Sequence, residues 1–201
     1  MKSRNVIFVI FMMFAFGSSG VIAGTAGKFQ WPVSPVSAYK SEGFHTIFYD
    51  DPSLLGYHMG EDWNAKDGSD ETGNRLNALT DGKVIYVGTK PGKGNVVIVR
   101  YTLPDGKTVD GAYYHCNKIA VSVYNVVTPG QKIAEIGKTG TLGSHLHWQM
   151  QTDPNLSNNT NPYHGKALDG GPARDPMTPA NALRYTSPSL FVDDRSRVEV
   201  K

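Results

Sequence analysis

From residue 81 to residue 152 the chain is interrupted every few positions by Asp-Gly and Pro-Gly pairs, leaving room for short strands and tight turns. Residues 83–88 follow Asp81-Gly82. Pro91-Gly92-Lys93-Gly94 separates them from residues 95–101, and Pro104-Asp105-Gly106 turns the chain toward residues 109–116. Pro129-Gly130 precedes residues 132–136, and residues 146–152 close the series. Runs this rich in β-branched residues, bounded this way, read as hairpins of an antiparallel sheet. After residue 23 no segment sustains helical periodicity over about 12 residues. The expected fold class is all-β, an antiparallel β-sheet domain.

Residues 24–57 and 153–182 are rich in Gly, Pro, Asn, Ser and Asp and read as long irregular loops. Such loops are uncommon in a small domain unless they serve a site, so they are expected to wall a substrate groove. Residues 187–201 end in alternating charges and are expected to fray.

The first 23 residues have the layout of a secretory leader. Lys2 and Arg4 precede an unbroken apolar run from Val6 to Phe16, and Val21-Ile22-Ala23 offers a cleavage site. The run falls short of the roughly 20 residues that span a bilayer. Cleavage after Ala23 is expected, with no membrane association afterwards and a periplasmic or extracellular destination. Lys2 and Arg4 leave with the leader and no acid does, so the formal charge falls from +2 to zero. That balance gives no footing for nucleic acid, which calls for a concentrated basic surface. About 178 residues remain, enough for one domain with a core of its own. The single Cys116 forms no internal disulfide and makes no zinc ribbon.

Four of the six histidines stand in settings that carry chemistry. In Ser144-His145-Leu146-His147-Trp148-Gln149-Met150 a strand would put His145, His147 and Gln149 on one face and the apolar residues on the other. Two imidazoles so spaced lie about 6.6–7 Å apart at Cα, which suits one metal ligand beside a base, or two ligands. Taken alone, the pair is equally the polar face of an amphipathic strand. His58-Met59-Gly60-Glu61-Asp62 spaces an imidazole and a carboxylate so that both can reach one cation, with Gly60 to bend the backbone. Alone it is also an ordinary solvated turn. His115 ends a predicted strand, and alternation turns Cys116 to the opposite face as a small buried residue. Together these groups match a zinc set of two histidines and one carboxylate with an open position, able to polarise a carbonyl and bring water to a pKa of about 7. The H-E-x-x-H helix is absent, so a histidine is the natural base near neutral pH.

In order along the chain, these residues resemble the lysostaphin/LytM-type zinc metallopeptidases, peptidoglycan endopeptidases. The resemblance runs from Trp31-Pro32-Val33 to Met150. It takes in His58-Met59-Gly60-Glu61-Asp62, Asp81-Gly82-Lys83-Val84, Gly94-Asn95-Val96-Val97-Ile98 and Tyr113-Tyr114-His115. Pro129-Gly130-Gln131-Lys132-Ile133, Ile136-Gly137-Lys138-Thr139-Gly140 and His145-Leu146-His147-Trp148 complete it. It implies one Zn²⁺ held by His58, Asp62 and His147. His145 would be the general base on the attacking water, and His115 would donate a hydrogen bond to the developing oxyanion. The expected division is signal peptide 1–23, loop-rich segment 24–52, metallopeptidase domain 53–182 and C-terminal tail 183–201. Arg100 stands where many members carry His, Gln149 where an acid is common, and no Ser…Phe-Gly-x-Arg element precedes His58. Either Tyr49 or Tyr57 could assist the transition state. His45 and His164 are assigned to loops, and Glu61 ranks below His145 as a base.

The expected substrate is peptidoglycan peptide, at cross-links or interpeptide bridges. Two other readings stay open: a zinc-bearing, non-catalytic module that activates another wall hydrolase as its regulatory partner, and a secreted protease acting on proteins.

Overall fold

Residues 95–101 are apolar on both faces, and the computed structural model, which describes residues 24–42, 60–152 and 185–196, shows what each face meets. Val97, Val99 and Tyr101 enter the larger core with Trp63, Tyr113, Leu146, Trp148 and Met150. Val96 and Ile98 join Ala112 and Tyr114 in a smaller cluster on the other side. The strand that carries them is buried on both faces because it is central.

The strands are β1 (Tyr39–Glu42), β2 (Glu61–Ala65), β3 (Arg75–Asn77), β4 (Gly82–Lys90), β5 (Gly94–Thr102), β6 (Thr108–Cys116), β7 (Val126–Val127), β8 (Lys132–Glu135), β9 (Leu146–Gln151) and β10 (Tyr185–Thr186). The larger sheet runs β1-β2-β9-β6-β5-β4-β7 and is antiparallel throughout. β10 pairs with Met150 and Gln151 of β9, past the point where β2 stops at Trp148. β3 and β8 make a separate ribbon. The fold is therefore all-β with antiparallel sheets, as the turn punctuation predicts. The hairpin strands β4, β5 and β6 and the later β8 and β9 fall where expected.

β1, β2, β3, β7 and β10 do not announce themselves in the sequence. They are two to five residues long, too short to show a period-two pattern, and their stability comes from the strand beside them. β2 is read from Glu61-Asp62-Trp63-Asn64-Ala65, where Trp63 alone marks an inward face. That indole packs edge-on to Trp148 at 5.9 Å, and Trp148 stacks on Tyr113 at 6.4 Å. Each such pair contributes about 0.5–1.5 kcal/mol beyond area burial.

The C-terminal segment also departs from expectation. Residues from 187 on were expected to fray, yet α1 (Pro188–Ser196) buries Phe191 and Val192 in the larger core. Ser187 and Pro188 start it: the Ser187 hydroxyl accepts from the Leu190 N–H at 3.4 Å, and proline occupies the first helical position. No helix among the described residues is long and apolar enough to cross a membrane.

What clamps α1 to the sheet is Glu61. This buried carboxylate accepts from Ser187 Oγ at 2.6 Å, Ser189 N at 3.1 Å, Ser189 Oγ at 2.8 Å, Ser41 Oγ at 2.5 Å and Trp63 Nε1 at 2.9 Å. It thus ties β1, β2 and the helix N-terminus, where the helix dipole favours an anion. Burial pushes its pKa up, and the hydrogen bonds from Ser187, Ser41, Trp63 and Ser189 outweigh that, leaving it below its ordinary 4.5. Glu61→Ala strands several buried donors and is expected to cost roughly 2–4 kcal/mol at pH 7 by denaturant unfolding. A carboxylate with a depressed folded pKa stabilises fully above its unfolded value and loses that contribution as pH falls through the folded one. The gap between wild type and variant should therefore be full above about pH 4.5 and narrow as pH falls below it through the lower folded pKa. A gap that held constant to pH 3 would show that the ionised carboxylate is not the clamp.

Candidate metal centre and active site

Directly opposed residues of an antiparallel pair point to one face. The β2–β9 register opposes Glu61 to Trp148, Asp62 to His147 and Trp63 to Leu146. Asp62 and His147 therefore meet on the face away from the larger core, and Asp62 Oδ1 accepts from His147 Nδ1 at 2.8 Å. Glu61 turns the other way, into its clamp. Gly60 makes the approach possible: a Cβ there would lie 2.4 Å from the Trp148 carbonyl oxygen and 3.0 Å from His147 Nε2.

His145 precedes β9 on the same face. Its Nδ1 donates to the Gly143 carbonyl at 3.2 Å, and its Nε2 lies 3.6 Å from Asp62 Oδ1. His115 arrives from the end of β6 through a bulge. Asn95 pairs with Cys116 and Val97 with Tyr113, so Tyr114 and His115 together oppose Val96. Strict alternation would split those two side chains between faces; the bulge brings both to the site. The Tyr114 ring packs edge-on to His147 at 5.0 Å, and the His115 ring lies 4.8 Å from His145 and 6.1 Å from His147. The cost is a non-glycine residue in the left-handed region, with His115 at φ 59°.

A carbonyl only accepts, so the 2.9 Å contact between His115 Nδ1 and the Thr139 oxygen places the ring proton on Nδ1. Burial brings the His115 pKa from 6.5 down to about 4; the Thr139 carbonyl works against this, His145 and Lys93 add to the lowering, and Asp62 opposes it. A neutral His115 in that tautomer has no N–H left for an oxyanion. The donor role expected of it requires the imidazolium.

Asp62, His115, His145 and His147 thus meet in one place. His58 lies outside the described residues, as do Tyr49, Tyr57, His45, His164, the leader, residues 43–57 of the first long loop and all of the second. Among the described residues no group of three His, Cys, Asp or Glu is placed to hold a metal. The two expected ligands that are described do converge, and a carboxylate oxygen beside an imidazole nitrogen is a donor set suited to zinc. Arg100 is not part of this group: it pairs through two bonds with Asp110, at 2.8 and 3.0 Å. Gln149 sits behind it, accepting from Tyr114 OH at 2.9 Å. Cys116 is buried on the opposite side, its thiol pushed up to about 12 by desolvation. Thr139 and Tyr114 were assigned no role from the sequence. Both fall inside motifs that carry the family resemblance, but only the fold shows what they touch.

Residues 56–162 match the family described as Peptidase family M23. Among curated proteins, the chain is similar to the murein hydrolase activator NlpD of Escherichia coli, 34% identical over 80 residues, covering 39% of this chain and 20% of that one. It is also similar to the peptidoglycan DD-endopeptidase ShyB of Vibrio cholerae, 35% identical over 88 residues, covering 43% and 20%. The chain thus spans about a fifth of the length of either relative. Among solved structures, a zinc containing peptidase from Vibrio cholerae superposes with a TM-score of 0.51 at 30% identity, covering 62% of this chain and 37% of that one. The catalytic domain of lysostaphin from Staphylococcus simulans gives 0.53 at 22% identity, covering 79% and 95%, a likeness of fold.

Proposed function

Because the chain belongs to peptidase family M23, we propose that it is an exported zinc metalloendopeptidase that hydrolyses peptide bonds in peptidoglycan. The observation that carries this reading is the meeting of Asp62 and His147 at 2.8 Å with two further imidazoles beside them. His58 is the third proposed ligand. Bound there, zinc would supply a Lewis acid for the scissile carbonyl and lower the pKa of water.

The chain's own residues would do the rest. Asp62 and His147 are already opposed across the β2–β9 pair, so little order has to be created when metal arrives. His145 and His115 each spend their Nδ1 proton on a backbone carbonyl and, when neutral, present a bare Nε2. We assign His145 as the base that takes the water proton, 3.6 Å from the carboxylate that would steady its imidazolium. His115 stands beside it as the second proton-handling group. Tyr114 and Gly60 set the ring of His147, one by packing on it and the other by leaving room.

A second reading has an observation in its favour. NlpD is named as a murein hydrolase activator, and this chain could serve as such a module for a regulatory partner. The two part in one experiment: wall fragments released by the purified protein are identified by mass spectrometry with and without a chelator. The peptidase reading expects cleaved peptide, lost with chelation and restored by Zn²⁺. No cleavage by zinc-loaded protein, with stimulation of another hydrolase, would leave the activator.

A further inference from the structure

The segment Gly137-Lys138-Thr139-Gly140 lies against the start of β5 and the end of β6, and its contacts converge on one catalytic imidazole. Thr139 and His115 bond reciprocally. His115 Nδ1 donates to the Thr139 carbonyl at 2.9 Å, and Thr139 N donates to the His115 carbonyl at 3.4 Å. The threonine hydroxyl is itself committed at both ends. It accepts from Asn95 N at 2.8 Å and donates to the Cys116 carbonyl at 3.0 Å. Asn95 and Cys116 are partners across the bulge, so this one hydroxyl bridges the strand pair where His115 leaves regular β geometry.

Space for the strap comes from glycine. Gly94, at φ 61°, would with a Cβ strike the Thr139 carbonyl oxygen at 2.0 Å and its Oγ1 at 2.2 Å. A Cβ on Gly137 would lie 2.6 Å from the His115 carbonyl oxygen. These glycines do not touch the metal-site pair; they hold Thr139 on His115.

We propose that Thr139 is a positioning residue: its carbonyl, locked in place by its own hydroxyl, holds His115 in the tautomer that carries the proton on Nδ1 and leaves Nε2 bare. Neutral imidazole otherwise exchanges its proton between the two nitrogens, and only the bare nitrogen accepts. The strap thereby decides that His115 enters the reaction as a proton acceptor and donates only after taking one. It also supports a backbone conformation that costs of order 1–3 kcal/mol at a residue other than glycine. The proposal rests on the peptidase reading for its kinetic consequence alone, because the tautomer is observable without turnover.

The test compares zinc-loaded wild type with Thr139→Val, which keeps the shape and loses the hydroxyl, and Thr139→Ser, which keeps the hydroxyl. Two-bond ¹⁵N–¹H spectra of the His115 ring should show the Nδ1–H form in wild type and Thr139→Ser, and a substantial Nε2–H population in Thr139→Val. On wall peptide, Thr139→Val should lose roughly 10- to 100-fold in kcat with zinc content and KM unchanged, up to the scale of a 1 Å misplacement of a catalytic group. Thr139→Ser should recover most of that loss. A wild-type His115 protonated at Nε2, or a Thr139→Val spectrum identical to wild type, would overturn the proposal. If Thr139→Val fails to fold, the wild-type spectrum still decides the tautomer, and Thr139→Ala, which also lacks the hydroxyl, takes the place of Thr139→Val. If wild type shows the Nδ1–H form but cleaves no wall peptide, the tautomer stands and the peptidase reading falls.

Discussion

His147→Ala should purify folded but without zinc, and should cleave wall peptide at least about 1,000-fold more slowly than wild type. The expected loss is that large because His147 is an inner member of the site, not a rim group. Its ring is buried, held edge-on by Tyr114 and bonded through Nδ1 to Asp62. Truncation removes one of three proposed donors and leaves Asp62 facing a cavity. Charge stabilisation by a catalytic metal amounts to several kcal/mol, and each factor of ten in rate corresponds to about 1.36 kcal/mol. Asp62→Asn should behave the same way, since a neutral carboxamide is a weaker zinc ligand than a carboxylate. The measurement is zinc per chain by mass spectrometry of the metal, beside the initial rate. Stoichiometric zinc retained by His147→Ala would remove this residue from the ligand set.

His115→Ala should keep its zinc and lose turnover, by roughly 100- to 10,000-fold, the range for removing a positioned acid or base. The two effects are separable because of where the ring sits. His115 lies nearer to His145 than to His147, at 4.8 against 6.1 Å, and is anchored to Thr139, while the Asp62 hydrogen bond belongs to His147. KM should change little if the ring acts on the proton rather than on the substrate. Stability should fall by about 1–3 kcal/mol, because the Thr139 carbonyl loses its imidazole partner and alanine tolerates a positive φ less well than histidine, so the rate is read per folded, zinc-loaded chain. Zinc loss in step with rate loss would make His115 a ligand and undo the assignment of roles.

Together the two variants divide the site into a group that would hold metal and a group that would move protons. Its architecture allows that division. Asp62 and His147 come from two strands paired to each other, whereas His115 comes from the next strand over and reaches in only through the β6 bulge.

Much of this was legible in the order of residues. Turn pairs at 81–82, 91–94, 104–106 and 129–130 mark strand ends because Gly and Pro restrict the backbone locally, whatever surrounds them. Alternation along β9 places His147 and Gln149 opposite Leu146, Trp148 and Met150, and the larger core takes up those three. Glu61 adjoins Asp62, so alternation turns its side chain to the other face, into the clamp on α1. These are properties of neighbours along the chain.

What the chain order could not supply is register and the exceptions to alternation. Asp62 and His147 are 85 positions apart, and a slip of one residue between β2 and β9 would turn them to opposite faces. That register is set by Trp63 packing on Trp148 and by Glu61 gripping β1 and α1, long-range contacts with no local signature. The bulge that brings Tyr114 and His115 to one face, the Thr139 strap that chooses the imidazole tautomer, and the docking of residues 188–196 are likewise tertiary. Local chain chemistry determined which segments extend and which side chains could do chemistry. Packing between segments far apart in sequence decided which of those side chains meet, because only there do burial and hydrogen bonding outweigh the small differences between alternative strand pairings.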